Sequence, residues 1–299
     1  MTPDRRILGA LVLALLAVFE RAPQTAAQSR GLATGASPQR IVSLVPATTE
    51  MLFEMGAGSR VVGVSSYDHF PPAVERITKV GGLLDPNVER LLSLKPDLVI
   101  VYDSQTALKD QLQRAGLPVF NYVHRGLADI MDTMRALGSR VGTRAAADAA
   151  AARIDAQLDA VRRRVANRPR PSTLLVIGRE QGTLRQINAS GGYGFLHDVM
   201  ELAGGNDALG EIGRQSVMMS TEMVLTKAPQ VILELHYSSS LSPEMAASER
   251  RVWNALPSVP AVRNNRVVLL TGDEFVIPGT RIAIAAERMA QALHPDAYR

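Results

Sequence analysis

The sequence predicts an α/β protein of two similar lobes, each with a mainly parallel sheet, joined by one long α-helix. The first observation behind this prediction is an internal repeat: the stretch 89–101 returns, much altered, as 222–234. Glu89 and Glu222 each stand seven residues before a proline, Pro96 and Pro229. Each copy predicts a short helix that begins at a capping signal, ends near the proline and leads into a buried strand. Two such units indicate two lobes of one kind.

Alternating strands and helices are the second observation, and they favour parallel sheets flanked by helices. In the first lobe the predicted strands are 40–45, 60–64, 98–102 and 119–122, and the predicted helices are 46–55, 88–94 and 107–115. In the second lobe the predicted strands are 173–177, 230–234 and 266–270, and the predicted helices are 194–203, 222–227 and 280–293.

An alanine-rich, charged stretch over 144–167 separates the two regions and is the third observation. Ile154, Leu158, Val161 and Val165 recur at helical spacing, which predicts one long helix with a single apolar stripe. A helix of this length spans roughly 36 Å. Two prolines, at 169 and 171, end it. The stretch therefore predicts a helical spine between the lobes.

The N-terminus reads as a cleavable secretory signal peptide. Arg5 and Arg6 precede an apolar run from Ile7 to Phe19, and the small residues at 25–27 suit signal-peptidase cleavage. The run is shorter than the ~20 residues a spanning helix needs. The predicted boundaries are a signal peptide over 1–27, a flexible leader over 28–38, lobes over 39–142 and 169–299, and the spine over 143–168.

Composition narrows the function classes. The chain has no cysteine, so an exported protein of this sequence has neither disulfides nor a lipid-modified cysteine, and we expect no lipid anchor. A formal net charge of +4 is too small to indicate nucleic-acid binding. No nucleophile elbow, zinc-protease motif or phosphate loop is present, so the sequence predicts no enzyme.

Ligands of open α/β folds bind beyond the carboxyl ends of the strands, which selects the residues that follow each strand. We read Trp253 as a packing residue and the glycine-rich stretch 191–194 as a turn before a helix. The residues selected as ligand-binding are Tyr67, Asp68, Tyr102, Arg179, Asp273 and Phe275.

Four motifs carry a resemblance to a known family: 40–52, 61–68 with the following Pro71 and Pro72, 86–92, and 95–100. Over about 39–295 the chain resembles the periplasmic solute-binding proteins with a helical backbone (class III), and most of all the cobalamin-binding members that serve vitamin B12 ABC importers. The resemblance implies two lobes facing each other across a cleft, with the substrate between them and one long helix that limits hinge motion.

The resemblance also assigns roles to particular residues. Glu89 and Glu222 match the surface glutamates that meet arginines of the importer's membrane permease dimer. Tyr67 and Tyr102 match aromatic residues of the cleft, and Asp273 matches an acidic contact of the second lobe. Two departures leave the ligand open: Leu83 or Leu84 stands where the cobalamin binders have tryptophan, and Ile277 stands where they have an arginine.

The expected function is therefore a monomeric periplasmic receptor that captures a corrinoid and delivers it to a permease. It needs no cofactor, since the cobalt or iron chelate is the cargo. A ferric siderophore is one alternative, and haem, with Tyr102 or His124 as axial ligand, is another. The remaining alternative, binding of free zinc or manganese, uses His69, His124, His236 and Asp273.

Overall fold

A computed structural model describes residues 37–237 and 241–299. The predicted signal peptide and almost all of the predicted leader lie outside these residues. Contacts divide the described chain into two compact units. The N-terminal unit comprises the residues up to His124 together with Asp129–Ala152, and the C-terminal unit comprises Arg125–Ala128 and Arg153–Arg299.

The N-terminal unit contains a five-stranded sheet in the order β3-β2-β1-β4-β5, with every neighbouring pair parallel. Its strands are β1 (Ile41–Ser43), β2 (Val61–Val64), β3 (Thr78–Lys79), β4 (Leu98–Tyr102) and β5 (Val119–Tyr122). Its helices are α1 (Pro46–Glu54), α2 (Val88–Ser93), α3 (Thr106–Arg114) and α4 (Ala128–Val141). Because all strands run the same way, their carboxyl ends share one edge, called here the carboxyl edge of the unit.

The long helix is α5 (Arg144–Val165), so the structure confirms the predicted helix almost to its bounds. Ile154, Leu158, Val161 and Val165 are all buried, as the apolar stripe predicts. The division between the two units falls inside this helix, between Ala152 and Arg153.

The C-terminal unit contains a six-stranded sheet in the order β11-β10-β6-β7-β9, with β8 paired to β6. Its strands are β6 (Ser172–Gly178), β7 (Ile187–Gly191), β8 (Asn206–Asp207), β9 (Arg214–Met219), β10 (Val231–His236) and β11 (Val267–Thr271). Its helices are α6 (Phe195–Leu202), α7 (Thr221–Lys227), α8 (Pro243–Val252), α9 (Pro260–Arg263) and α10 (Ile282–Leu293). Strands β6, β10 and β11 are parallel, whereas β7 runs antiparallel to both β6 and β9.

The repeat predicted from the sequence is present in three dimensions. Asn87 caps the N-terminus of α2, where its side chain accepts from the Arg90 N–H. Ser220 caps the N-terminus of α7 in the same way, and its side chain accepts from the Met223 N–H. Each helix is followed by a non-glycine residue with positive φ, at 95 (48°) and at 228 (44°), directly before the proline. Leu91 and Val224 anchor the two helices in the cores of their own units.

Apolar side chains of the strands and of the helices packed on them form the cores. The core of the N-terminal unit includes Val42, Leu44, Val80, Leu91, Val99, Val101, Leu108 and Leu112. In the C-terminal unit Trp253 is fully buried among strand and helix residues, which confirms its prediction as a packing residue. In the part of the chain that the structure covers, no helix is both long and apolar enough to cross a membrane.

Candidate functional site

Aromatic side chains gather at the carboxyl edge of the N-terminal unit. Tyr102 ends β4 and pairs in register with Tyr122, which ends β5. Their rings meet edge to face with centroids 5.8 Å apart, and the His124 ring stacks on Tyr122 at 6.1 Å. The sequence selected Tyr102 for this edge but did not select Tyr122. The signal that could have identified Tyr122 is its place at the end of the predicted strand 119–122, since Tyr102 ends the predicted strand 98–102.

Tyr67 follows β2 at the same edge and is half-buried. Its position depends on Gly82, since a Cβ atom there would lie 2.5 Å from the Tyr67 Cε2 atom. Gln105 connects the loop that contains Gly82 and Leu83 to β4. Its Nε2 donates to the Leu83 carbonyl at 3.0 Å, and its Oε1 accepts from the Tyr102 N–H at 3.0 Å. Leu84 exposes 64% of its surface, so it lies on the outside of this loop.

The Asp68 carboxylate lies beneath this edge rather than on it. Only 1% of the residue is exposed, and neither carboxylate oxygen makes a hydrogen bond of ordinary geometry to a described residue. This burial corrects the prediction that Asp68 contacts a ligand directly. Burial raises the pKa of Asp68 to about 7, although the Thr49 hydroxyl and Lys79 oppose the rise. The same carboxylate, together with burial, raises the pKa of Tyr102.

Asp68 makes the folded chain less stable as pH rises, which is opposite to the usual effect of a carboxyl group. The folded chain holds the Asp68 proton up to about pH 7, whereas the unfolded chain releases it near its ordinary pKa of 3.8. Stability contributed by this group is therefore lost as pH rises from about 4 to 7, by up to about 4 kcal/mol. His124 acts in the opposite direction, because burial lowers its pKa from 6.5 to about 4 and stability is lost as pH falls through that range.

We expect Asp68→Asn to remove the first of these dependences. Relative to the unmodified chain, the free energy of unfolding of the variant should rise by up to about 4 kcal/mol between pH 4 and pH 8. Urea unfolding at a series of pH values measures this difference. His124→Gln serves as the control. The change with pH in its free energy of unfolding, relative to the unmodified chain, should appear at the acid end of the pH range instead. A constant difference for Asp68→Asn at every pH would contradict the assignment.

Asp273 lies just beyond β11 in a short 3₁₀ turn, and its carboxylate pairs with Arg281 at 2.6 Å. Arg281 also lies 3.9 Å from Glu274, which pairs with Arg288. The family resemblance implies an arginine at position 277, where this chain has isoleucine. The structure instead supplies a guanidinium to this acid eight residues after it, across the turn that precedes α10.

The prediction that Phe275 contacts a ligand is wrong in this structure, because the residue is fully buried. The Arg288 guanidinium lies 4.8 Å from the centre of its ring, and Arg288 Nη1 donates to the Thr271 carbonyl at 2.6 Å. Phe275 therefore packs within the C-terminal unit and holds the turn that carries Asp273.

Arg179 is also corrected, since its side chain is only 2% exposed. Its Nη2 atom lies 2.9 Å from Glu234 and 2.8 Å from Glu249, and both carboxylates are buried. The guanidinium also lies 5.9 Å from the centre of the Trp253 ring. Arg179 balances buried negative charge, and it has no surface with which to contact a ligand.

Glu234 is the centre of this buried cluster. It accepts from Trp253 Nε1 at 2.6 Å and is 2.8 Å from His236 Nε2. Burial by itself raises the pKa of Glu234, but the His236 hydrogen bond, the Arg179 charge and the Trp253 hydrogen bond together lower it below the ordinary value. The carboxylate is therefore ionised, and donors from Arg179, His236 and Trp253 hold it in place.

Glu89 and Glu222, predicted to dock on a permease, are exposed in the first turns of α2 and α7. In each helix the residue three positions later is an exposed leucine: Leu92 (41%) and Leu225 (42%). Residues three apart lie on the same helix face, so each unit presents a glutamate beside a leucine. The sequence repeat predicted the glutamates but not the leucines.

No group of three or more histidine, cysteine, aspartate or glutamate side chains is placed to hold a metal ion within 37–237 and 241–299. The alternative of free zinc or manganese binding through His69, His124, His236 and Asp273 therefore lacks a ligand cluster in that part of the chain.

Residues 41–274 match the family model described as periplasmic binding protein. A vitamin B12-binding protein from Yersinia pestis is 27% identical over 257 residues, covering 85% of this chain and 86% of the relative. The periplasmic vitamin B12-binding protein BtuF of Vibrio cholerae superposes with a TM-score of 0.73 at 25% identity, over 89% of this chain and all of that one. A periplasmic haem-binding protein, BhuT, solved with two haems, gives a TM-score of 0.73 at 26% identity with the same coverage.

Proposed function

Because the chain belongs to the periplasmic binding protein family, we propose that it is the receptor of an ABC importer and that its cargo is a corrinoid. The likeness to vitamin B12-binding proteins over 85% of the chain is the observation that carries the proposal. Members of this family bind and deliver substrates, so we assign the chain no catalytic role. Its place of action is the periplasm, after removal of residues 1–27 and without a lipid anchor.

Each unit by itself supplies groups suited to such a cargo, at the carboxyl edge of the N-terminal unit and just beyond β11 in the C-terminal unit. Tyr67 and Tyr102 offer aromatic surface for a large flat ring system, and Asp273 with Arg281 offers both acceptors and donors for the amide groups around a corrin. We therefore propose Tyr67, Tyr102, Asp273 and Arg281 as the contacting residues. Asp68 is buried, and we propose that it acts on Tyr102 through its charge instead of touching the cargo.

Docking on the permease dimer is proposed for Glu89 and Glu222. Two equivalent helices, each with an acidic side chain and an exposed leucine beside it, suit a partner built from two equivalent subunits. Opposite charge on the permease would steer the encounter, and apolar contact at Leu92 and Leu225 would add buried area.

Haem is the second candidate, favoured by the likeness to BhuT and by the tyrosines at the carboxyl edge of the N-terminal unit. Tyrosine is a known axial ligand of haem iron, and Tyr67 and Tyr102 each carry a phenol oxygen that could serve as one. The Tyr102 phenol holds its proton firmly, since burial and Asp68 raise its pKa, and this disfavours an iron-bound phenolate.

We expect a corrinoid to raise the melting temperature of the protein. At about a hundred times its dissociation constant, a ligand that binds only the folded state adds roughly 2.7 kcal/mol of apparent stability. A thermal-shift titration with cyanocobalamin, cobinamide, hemin and ferric siderophores measures this. A rise in melting temperature with corrinoids alone supports the proposal. A rise with hemin or a siderophore alone would identify that compound as the cargo instead. No rise with any of these compounds would contradict the role of a metal-chelate receptor.

A further inference from the structure

An open cavity of about 910 Å³ lies at the amino ends of the parallel strands in the C-terminal unit. It is lined by Ser172 and Val231, the first residues of β6 and β10, and by Arg266, which directly precedes β11. Asp273 lies beyond the other end of β11. This cavity, called here the amino-edge cavity, is therefore at the opposite edge of the sheet from the residues proposed to contact the cargo.

The charged side chains that line the amino-edge cavity are all positive, and no aspartate or glutamate is among the described residues of its wall. A concave surface with charge of one sign concentrates the electric field and attracts ions of the opposite sign. The cavity therefore favours an anion. Its cations are Arg170, Lys227, Arg263 and Arg266, and the amide side chains of Gln230 and Asn264 lie beside them.

Two of these cations have acidic partners, and both partners lie outside the wall of the cavity. Arg170 pairs with Glu201, and Lys227 pairs with Glu211. All four side chains are at least 30% exposed, so water screens both ion pairs. An anion in the cavity can therefore share Arg170 and Lys227 with their carboxylate partners.

The other two cations have no acidic partner within 37–237 and 241–299. Arg266 Nη2 donates to the Leu293 carbonyl at 2.9 Å, at the end of α10, whereas its Nε and Nη1 atoms make no hydrogen bond to a described residue. Arg263 is exposed, and its side chain makes neither a hydrogen bond nor an ion pair to a described residue. Donors of both guanidinium groups are therefore available to a ligand.

Backbone hydrogen bonds connect the segments that form the wall of the cavity. The Gln230 N–H donates to the Ser172 carbonyl at 2.8 Å, and Gln230 Oε1 accepts from the Ser172 N–H at 2.9 Å. The Ala261 N–H donates to the Pro229 carbonyl at 2.9 Å, and the Arg266 N–H donates to the Ala261 carbonyl at 2.7 Å. A ligand that bridges these segments meets a wall that is already ordered, which lowers the entropy cost of binding.

We infer that the amino-edge cavity binds an anion that carries two phosphate groups. Guanidinium groups form paired hydrogen bonds with phosphate oxygens, and a lysine adds a point charge. The volume is that of a small-ligand pocket, and cations on separate segments suit an anion with more than one charged group. Two phosphate groups occur together in free diphosphates and in the headgroup of the lipid cardiolipin.

Calorimetric titration of the purified chain with pyrophosphate at constant ionic strength tests the inference. We expect Arg263→Gln to weaken pyrophosphate binding by at least about tenfold, because charge-assisted hydrogen bonds are lost. Arg250→Gln is the matched control, and its affinity should stay within about twofold of the unmodified chain. Arg250 is also exposed in the last turn of a helix of this unit, α8, but it does not line the cavity.

Vesicles distinguish the two sources of the phosphate groups. Co-sedimentation with cardiolipin vesicles but not with phosphatidylcholine vesicles, lost in Arg263→Gln, would assign the site to a lipid headgroup. Binding of pyrophosphate alone would assign it to a free anion. The inference is overturned if neither phosphate probe binds, if Arg263→Gln binds as the unmodified chain does, or if Arg250→Gln loses as much affinity as Arg263→Gln. None of these measurements involves the cargo, so each outcome leaves the proposed receptor function standing.

Discussion

We expect the joint replacement of Glu89 and Glu222 by lysine to reduce uptake of the cargo at least tenfold while ligand affinity stays unchanged. Both side chains are exposed in the first turns of equivalent helices, so the substitutions alter the surface and leave the cores intact. If the permease presents positive charge at both positions, reversal places like charges together, which costs several kcal/mol at an interface. Loss of favourable helix-terminus electrostatics lowers the stability only slightly at each site, because both side chains are exposed to solvent.

Transport assays in cells that depend on the importer measure uptake, and titration of the purified variants measures affinity. Glu244→Lys is the matched control. Glu244 is exposed in the first turn of α8 behind the capping residue Ser242, so it shares the local helix electrostatics but lies outside the repeat. Uptake by the double variant equal to that of the Glu244→Lys control would rule out docking through these glutamates.

The second large effect is on stability. We expect Arg179→Ala to lower the free energy of unfolding by about 3–5 kcal/mol, because it leaves two buried carboxylates without their counter-charge. Urea unfolding measures the loss. Arg185→Ala in the same loop region is the control, and since Arg185 is exposed its loss should stay within about 0.5 kcal/mol.

Arg179→Ala also checks the corrected role of this residue. Under conditions where the variant is folded, its affinity for cyanocobalamin should match that of the unmodified chain, because the Arg179 side chain has no surface to offer a ligand. A loss of stability below about 1 kcal/mol combined with a large loss of affinity would contradict the structural role and restore the direct contact.

The parts of the fold that the sequence predicted are those with strong local signals. Apolar runs mark β4, β6, β10 and β11, and the helical stripe marks α5. The strands that sequence reasoning missed lack such signals. Strand β7 is buried but built mostly from small and polar residues around Ala189, and β9 is half-exposed and polar in its first three residues. Pairing with neighbours that are distant in sequence makes these two segments strands, and periodicity cannot show that.

The buried positions of Arg179 and Phe275 were not foreseen for a different reason. The rule that ligands lie beyond strand ends identifies the edge of the sheet but not the direction of each side chain. Arg179 and Phe275 follow strands as expected, yet both side chains turn inward and are buried. Arg281 was missed because the resemblance implied an arginine at position 277. In the structure a turn brings Arg281, eight residues after Asp273, into contact with that acid instead.

Gly82 has a consequence for how selectivity could change in evolution. The residue contributes no side-chain atom to the carboxyl edge of the N-terminal unit, yet the Tyr67 ring occupies the volume that any side chain at this position would need. A single added methyl group would force the ring to a new position, with every aromatic residue retained. The range of cargoes that this scaffold could bind therefore depends on the absence of a side chain at position 82 as well as on the aromatic residues themselves, and a comparison of aromatic residues alone would overlook it.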